Sequence, residues 1–165
     1  MDEAYQAAWF ERHFKCTLRY VDNQRVGTAK DYEITAVLEG SSLDSSDVGE
    51  FVEFKFDKAC RKTGNLYLEY EQTFNGTRFI PSGMALAINQ SKFIVFSVKF
   101  VGFVHHYIFN RGDMREILTH KMRSVSTRPN ANGNRDGCFT KGYLLPARTV
   151  TAFRQIEQIS DRTLL

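Results

Sequence analysis

Apolar and polar residues alternate along Glu50-Phe-Val-Glu-Phe-Lys-Phe-Asp57, and again along Thr63-Gly-Asn-Leu-Tyr-Leu-Glu-Tyr-Glu71. Period-two alternation marks half-buried strands. It sets Glu53, Lys55 and Asp57 on one face of the first strand, and Glu69 and Glu71 on one face of the second. Tyr32 to Leu38 alternates too. The polar Gly40 to Gly49 connector makes 31–57 a long-looped antiparallel hairpin, and a short turn around Lys58 to Asn65 leads to a third strand, Leu66 to Gln72. Lys92 to Lys99 is nearly continuous apolar, as in a strand buried on both faces, and Val104 to Phe109 reads as its neighbour. Helices are predicted over Ala4 to Arg19, started by Asp2 or Glu3, over Ser82 to Gln90 behind Pro81, and over Asp113 to Arg123 behind an Asn110 cap. Tyr143 to Pro146 is a short strand or turn, and Ala147 to Ile159 a closing helix. The whole of 1–165 reads as a single α/β domain.

Composition narrows the picture. Hydrophobic content of 42% and aromatic content of 13% are those of a folded globular chain. No apolar run is long enough to span a bilayer, and the acidic Met1-Asp-Glu-Ala start differs from a basic signal region. The expectation is a cytoplasmic protein with no membrane partner. Cys16, Cys60 and Cys138 lack metal-ligand spacing and are expected to be free thiols. Net charge is only +3, but it is uneven: from Arg111 onward ten Lys/Arg face five Asp/Glu. A basic back half behind an acidic front half suits a metal-dependent phosphodiesterase; on this feature alone a solvated surface with uneven charge is the preferred reading.

The carboxylates carry the candidate chemistry. Hydrolysis of a phosphodiester needs an activated water and neutralisation of charge on the phosphoryl oxygens, and a divalent metal on carboxylates supplies both. A nearby lysine orients the water or holds the phosphate. Asp31 opens the strand before Glu53 and Lys55, so the antiparallel return brings the three together, with Glu69 joining from the third strand. Phe54 and Phe56 point the other way, into the core.

Asp31, Glu53-Phe-Lys55, Thr63-Gly-Asn-Leu-Tyr-Leu-Glu69 and Pro81-Ser-Gly83, in that order, resemble the PD-(D/E)XK nuclease superfamily, above all its small phage-encoded members. The resemblance covers about residues 1–123 in layout, with specific motifs only between 31 and 83. It implies a restriction-endonuclease-like fold, a mixed central β-sheet flanked by helices. It implies Mg²⁺ or Mn²⁺ held by Asp31, Glu53 and the Phe54 carbonyl, with Lys55 activating water or holding phosphate. The activity implied is endonucleolytic hydrolysis of DNA, with branched or replication-intermediate DNA as a candidate substrate, in a bacterial or phage-infected cell. A homodimer is a further family-level expectation.

Alternatives stay open on the residues themselves. The Asp31–Glu53 hairpin is long for the family, so Glu33 is an alternative ligand, as is a shifted site of Asp57, Glu69 and Glu71. Glu53 and Lys55 also fit a solvent-facing strand with weak cross-strand ion pairs. Glu3 and Glu11 are either outer ligands or ordinary helix acids. Arg128, Arg135 and Lys141 flank a polar segment and either grip phosphates or are solvated. Tyr67 and Tyr70 either stack on bases or pack inward. His105 and His106 fall on opposite faces of one strand and are read as structural. The competing functions are a catalytically degenerate nuclease-fold protein that binds nucleic acid or a host protein, and a nuclease acting on RNA.

Overall fold

A computed structural model describes residues 2–22, 29–73, 77–120, 125–129 and 139–159. Helix α1 (Glu3–Phe14) leads into β1 (Cys16–Tyr20), β2 (Tyr32–Val37) and β3 (Phe51–Phe56); α2 (Cys60–Thr63), β4 (Asn65–Thr73), β5 (Ile80–Pro81) and α3 (Gly83–Gln90) follow. The chain continues through β6 (Phe93–Lys99), β7 (Phe103–Asn110), α4 (Arg111–His120), β8 (Val125–Pro129), β9 (Phe139–Pro146) and, after two short 3₁₀ turns, β10 (Arg154–Gln158). A six-stranded mixed sheet runs β1-β2-β3-β6-β7-β10, and a four-stranded antiparallel sheet runs β5-β4-β9-β8. β1, β2 and β3 form an antiparallel meander; β6 pairs with β3 in parallel. Mixed α/β architecture, with a mixed sheet flanked by helices, is therefore what the chain adopts.

Each face of the large sheet carries its own core. Phe10, Val52, Phe54 and Val95 pack under α1. Ile94, Phe96, Tyr107 and Phe109 pack with Leu66 and Leu68 of the smaller sheet and with Met84 and Ala87 of α3. β6 thus shows Val95 to one core and its neighbours Ile94 and Phe96 to the other, which accounts for its unbroken apolar run.

Three expectations are corrected. The first helix stops at Phe14, where Lys15 takes a left-handed conformation (φ 50°), because Cys16-Thr-Leu-Arg-Tyr20 is claimed as an edge strand by β2. The third strand, expected to present Glu69 from beside the hairpin, leaves the large sheet to pair with β9, and β6 takes the place beside β3. The closing helix does not form: Ala147–Thr149 and Thr151–Phe153 are 3₁₀ turns, and Arg154–Gln158 pairs with β7. Two starts agree with expectation. Asp2 Oδ1 accepts from Tyr5 N at 2.9 Å, and Asn110 and Asp113 exchange side-chain-to-backbone bonds of 2.9 Å at the head of α4.

Candidate functional site

β2 and β3 pair only at Tyr32–Val52 and Glu33–Phe51. Beyond that point the hairpin splays. Asp31 N still donates to Val52 O at 3.2 Å, but the next N–H on that edge, Phe54 N, is taken by the Asp31 carboxylate at 2.6 Å. A side chain thus stands in for a strand. The N–H and C=O of one residue in an extended strand point to the same edge, so the Phe54 carbonyl faces the same notch as the Asp31 carboxylate.

Glu53 and Lys55 flank Phe54 on the opposite face and touch each other directly, Lys55 Nζ against Glu53 Oε1. The Glu53 side chain is only 3% exposed, while that of Lys55 is 39% exposed. Glu53 Oε2 is buried with no fixed donor among the described residues; the Asp31 carboxyl lies within hydrogen-bonding reach of Glu53 and satisfies it only when one of the two carries a proton. A groove of about 520 Å³ opens beside them, walled by Phe54, Lys55 and Phe56 of β3, by Glu3 and Gln6 of α1, and by Asp2, which caps that helix.

The electrostatics are those of an excess of acid. Burial, then the charge of Glu53, pushes the Asp31 carboxyl up to about 7. Burial also raises Glu53, against the pull of Lys55. Burial opposes the Lys55 charge, but Glu53 and Asp31, with a contribution from Glu69, outweigh it and hold the ammonium above the ordinary lysine value. Glu3, at the head of α1, is raised by burial and then by Asp31. Four carboxyls therefore act on one another or on a single ammonium.

This donor set fits a divalent cation. Among the described residues no three His, Cys, Asp or Glu side chains form a ready-made metal cage. Magnesium does not demand one, since it binds through one or two carboxylates and keeps several waters. Asp31, Glu53 and the Phe54 carbonyl meet that requirement, and the Glu53 oxygen without a fixed donor is the group a cation would satisfy.

The other candidate residues are already engaged. Glu33 pairs with Arg19 across β1. Asp57 spends its carboxylate on three backbone donors: Oδ1 accepts from Ala59 N and Cys60 N, each at 2.9 Å, and Oδ2 accepts from Tyr67 N at 2.7 Å. Glu69 and Glu71 do not share a face. A bulge between them sets Glu69 opposite Gly142 and Glu71 opposite Lys141, and those partners, adjacent on β9, point to opposite sides. Glu69 accepts from Ser82 Oγ at 2.6 Å, whereas Glu71 pairs with Lys141 at 3.2 Å. The shifted set of Asp57, Glu69 and Glu71 is therefore not assembled.

Lys141 also lies 3.8 Å from the Phe79 ring centroid, so it is a cross-strand contact with both its partners in place. Arg128 lies on β8 opposite Thr140, its side chain outside the described residues; Arg135, Cys138 and most of the polar segment lie outside them as well. Glu11 accepts from Leu18 N at 2.7 Å and is structural. Tyr70 stacks on Tyr143, and Tyr67 lies across Gly142.

The supports of the site are not legible in the sequence alone. A Cβ on Gly83 would meet the Glu69 carbonyl oxygen at 2.9 Å, and Gly83 has φ +46°, so the Pro81-Ser-Gly83 turn seats directly on β4 and aims Ser82 at Glu69. The signal was present in that turn, but its target was not. Compared with known proteins, the chain matches no family model, no curated protein and no solved structure.

Proposed function

We propose that this chain is a divalent-metal-dependent nuclease of PD-(D/E)XK type that hydrolyses phosphodiester bonds in DNA. The observation that carries the reading is the notch beside β3, where Asp31 and Glu53 converge on Lys55 and a buried Glu53 oxygen has no fixed donor among the described residues. The topology supports it: β1, β2, β3 and β6 form a mixed four-stranded unit with α1 on one face and α3 on the other, the layout expected of a restriction-endonuclease-like core.

In this reading Asp31, Glu53 and the Phe54 carbonyl hold Mg²⁺ or Mn²⁺. When bound, such an ion neutralises phosphoryl charge and acidifies a coordinated water. The chain's own contribution is positional. Asp31 is fixed by the Phe54 N–H, and Glu53 by burial and its contact with Lys55. Lys55 keeps its proton because carboxylates surround it, so it serves as a hydrogen-bond donor to a phosphate oxygen or to the attacking water, and not as a base. The groove between β3 and α1 admits the substrate strand.

The test is a cleavage screen on linear, nicked, single-stranded and four-way-junction DNA, and on RNA, with Mg²⁺, Mn²⁺ or EDTA. Glu53→Gln and Lys55→Ala run beside the wild type. Metal-dependent cleavage reduced at least about a hundredfold in both variants supports the reading. Nucleic-acid binding with no cleavage above that of Glu53→Gln overturns it in favour of a degenerate binding protein.

A further inference from the structure

A second cavity, of about 550 Å³, opens beyond the carboxyl ends of the parallel strands β3 and β6, on the face that carries α3 and the smaller sheet. Among the described residues its charged lining is all of one sign. Arg61 follows β3 on α2, Arg148 sits in the first 3₁₀ turn, and Arg154 opens β10 opposite Tyr107, with no carboxylate among the described lining residues; His105 also lines the wall, its pKa held below the ordinary histidine value by burial and then by Arg154. None of the three arginines makes an ion pair among the described residues. Asp57, close enough to the cavity to add to burial in raising the Cys60 thiol, is committed to backbone donors. Arg154 is steered by the Tyr107 hydroxyl.

Phe100 adds an aromatic surface to the same lining. The Phe100 ring lies 4.7 Å from that of His105 and stacks on Phe103 at 5.1 Å, centroid to centroid. Convergent guanidinium groups without a carboxylate are a receptor for a multiply charged oxyanion, since their planar forks bind phosphate oxygens in pairs. An aromatic wall beside them suits a flat ring attached to that anion.

We propose that this cavity is a nucleotide-phosphate site, which takes a phosphate carried by a nucleotide, either free or within a strand. It uses none of the residues of the acidic notch and needs no metal, so it stands or falls apart from the nuclease reading. The failed closing helix is what builds it, because the 3₁₀ turns and β10 bring Arg148 and Arg154 to one mouth.

Calorimetric titration in EDTA tests the proposal with three probes: inorganic phosphate, a deoxynucleoside 5′-monophosphate, and a short oligonucleotide with or without a 5′-phosphate. The variants are Arg61→Gln/Arg148→Gln, both on exposed side chains, Arg154→Gln, and, as a control with the same change of charge away from the cavity, Arg115→Gln on the exposed side of α4, with the fold of each checked by circular dichroism. Binding of the monophosphate is expected, weakened about tenfold or more in the double variant and unchanged in Arg115→Gln. A tighter oligonucleotide than monophosphate identifies a strand as the source, and equal affinity a free nucleotide. Wild-type protein that binds none of the probes at millimolar concentration overturns the proposal. So does a correctly folded double variant that binds as well as wild type.

Discussion

The ring of His106 lies flat on that of Trp9, centroids 3.7 Å apart and planes 10° from parallel. Its two nitrogens reach Ser97 Oγ at 2.8 Å and Glu157 at 3.2 Å. This contact joins α1 to β7 and, through Glu157, to β10, with Tyr5 Oη donating to the same carboxylate at 2.7 Å. The imidazole is fully buried. A neutral ring belongs in such a place.

Burial lowers the His106 pKa to about 4, against the opposing pull of Glu157; His13 and His105 push in the same direction as burial. The unfolded chain takes up that proton near the ordinary histidine value, about 6.5. The neutral ring's contribution is therefore complete above that value and lost as pH falls toward about 4. Over this window the wild type should lose roughly 3 kcal/mol more stability than His106→Gln. Urea denaturation of both proteins across pH 4 to 7 checks it, with Trp9 as an intrinsic probe. Parallel slopes would show that His106 does not carry the effect.

Asp31→Asn should separate stability from metal binding. Asn keeps an oxygen for the Phe54 N–H but removes the charge that faces Glu53. In EDTA the variant should be more stable by about 1 kcal/mol. Its melting temperature should no longer rise with added Mg²⁺ or Mn²⁺, whereas that of the wild type should. Thermal melts with and without metal give both answers.

Asp57→Ala should destabilise the protein by about 2–4 kcal/mol, because three backbone donors lose their acceptor together. The cost should be the same with Mg²⁺ and with EDTA. A cost that grew with metal would return Asp57 to the ligand set.

Gly142→Ala would place a Cβ 2.4 Å from the Tyr67 ring. The expected loss is about 1–3 kcal/mol. In a Tyr67→Ala background most of that penalty should vanish, because the clash has one source. A double-mutant cycle by urea denaturation measures the coupling, and additive losses would place the strain elsewhere.

Much of this architecture is legible in the chain. Asp2 and Asn110 declare their helices, and the alternation around Glu53 and Lys55 places both on one face of β3. The Asp31 approach follows from an antiparallel return. What escaped has identifiable causes. Ala147, Val150 and Phe153 recur every third residue, a spacing shared by an α-helical face and by successive 3₁₀ turns, and the β-branched Thr149, Val150 and Thr151 favour the latter. The pattern of β4 marks a strand but not its sheet, since Leu66 and Leu68 find apolar neighbours equally well in a separate layer. One surplus residue at Tyr70 reverses strand parity, so Glu69 and Glu71 part company although their spacing is two. Arg61, Arg148 and Arg154 are scattered through the sequence and only the tertiary structure gathers them.

The early divergence of β2 from β3 leaves an interior strand with the freedom of a border one. From Phe54 onward its outer edge is closed by a single carboxylate, so the middle of a six-stranded sheet can open to solvent without unfolding anything around it. The Phe54 amide should therefore exchange its hydrogen for deuterium faster than its neighbours toward β6, and slow down when a cation draws Asp31 and Glu53 together.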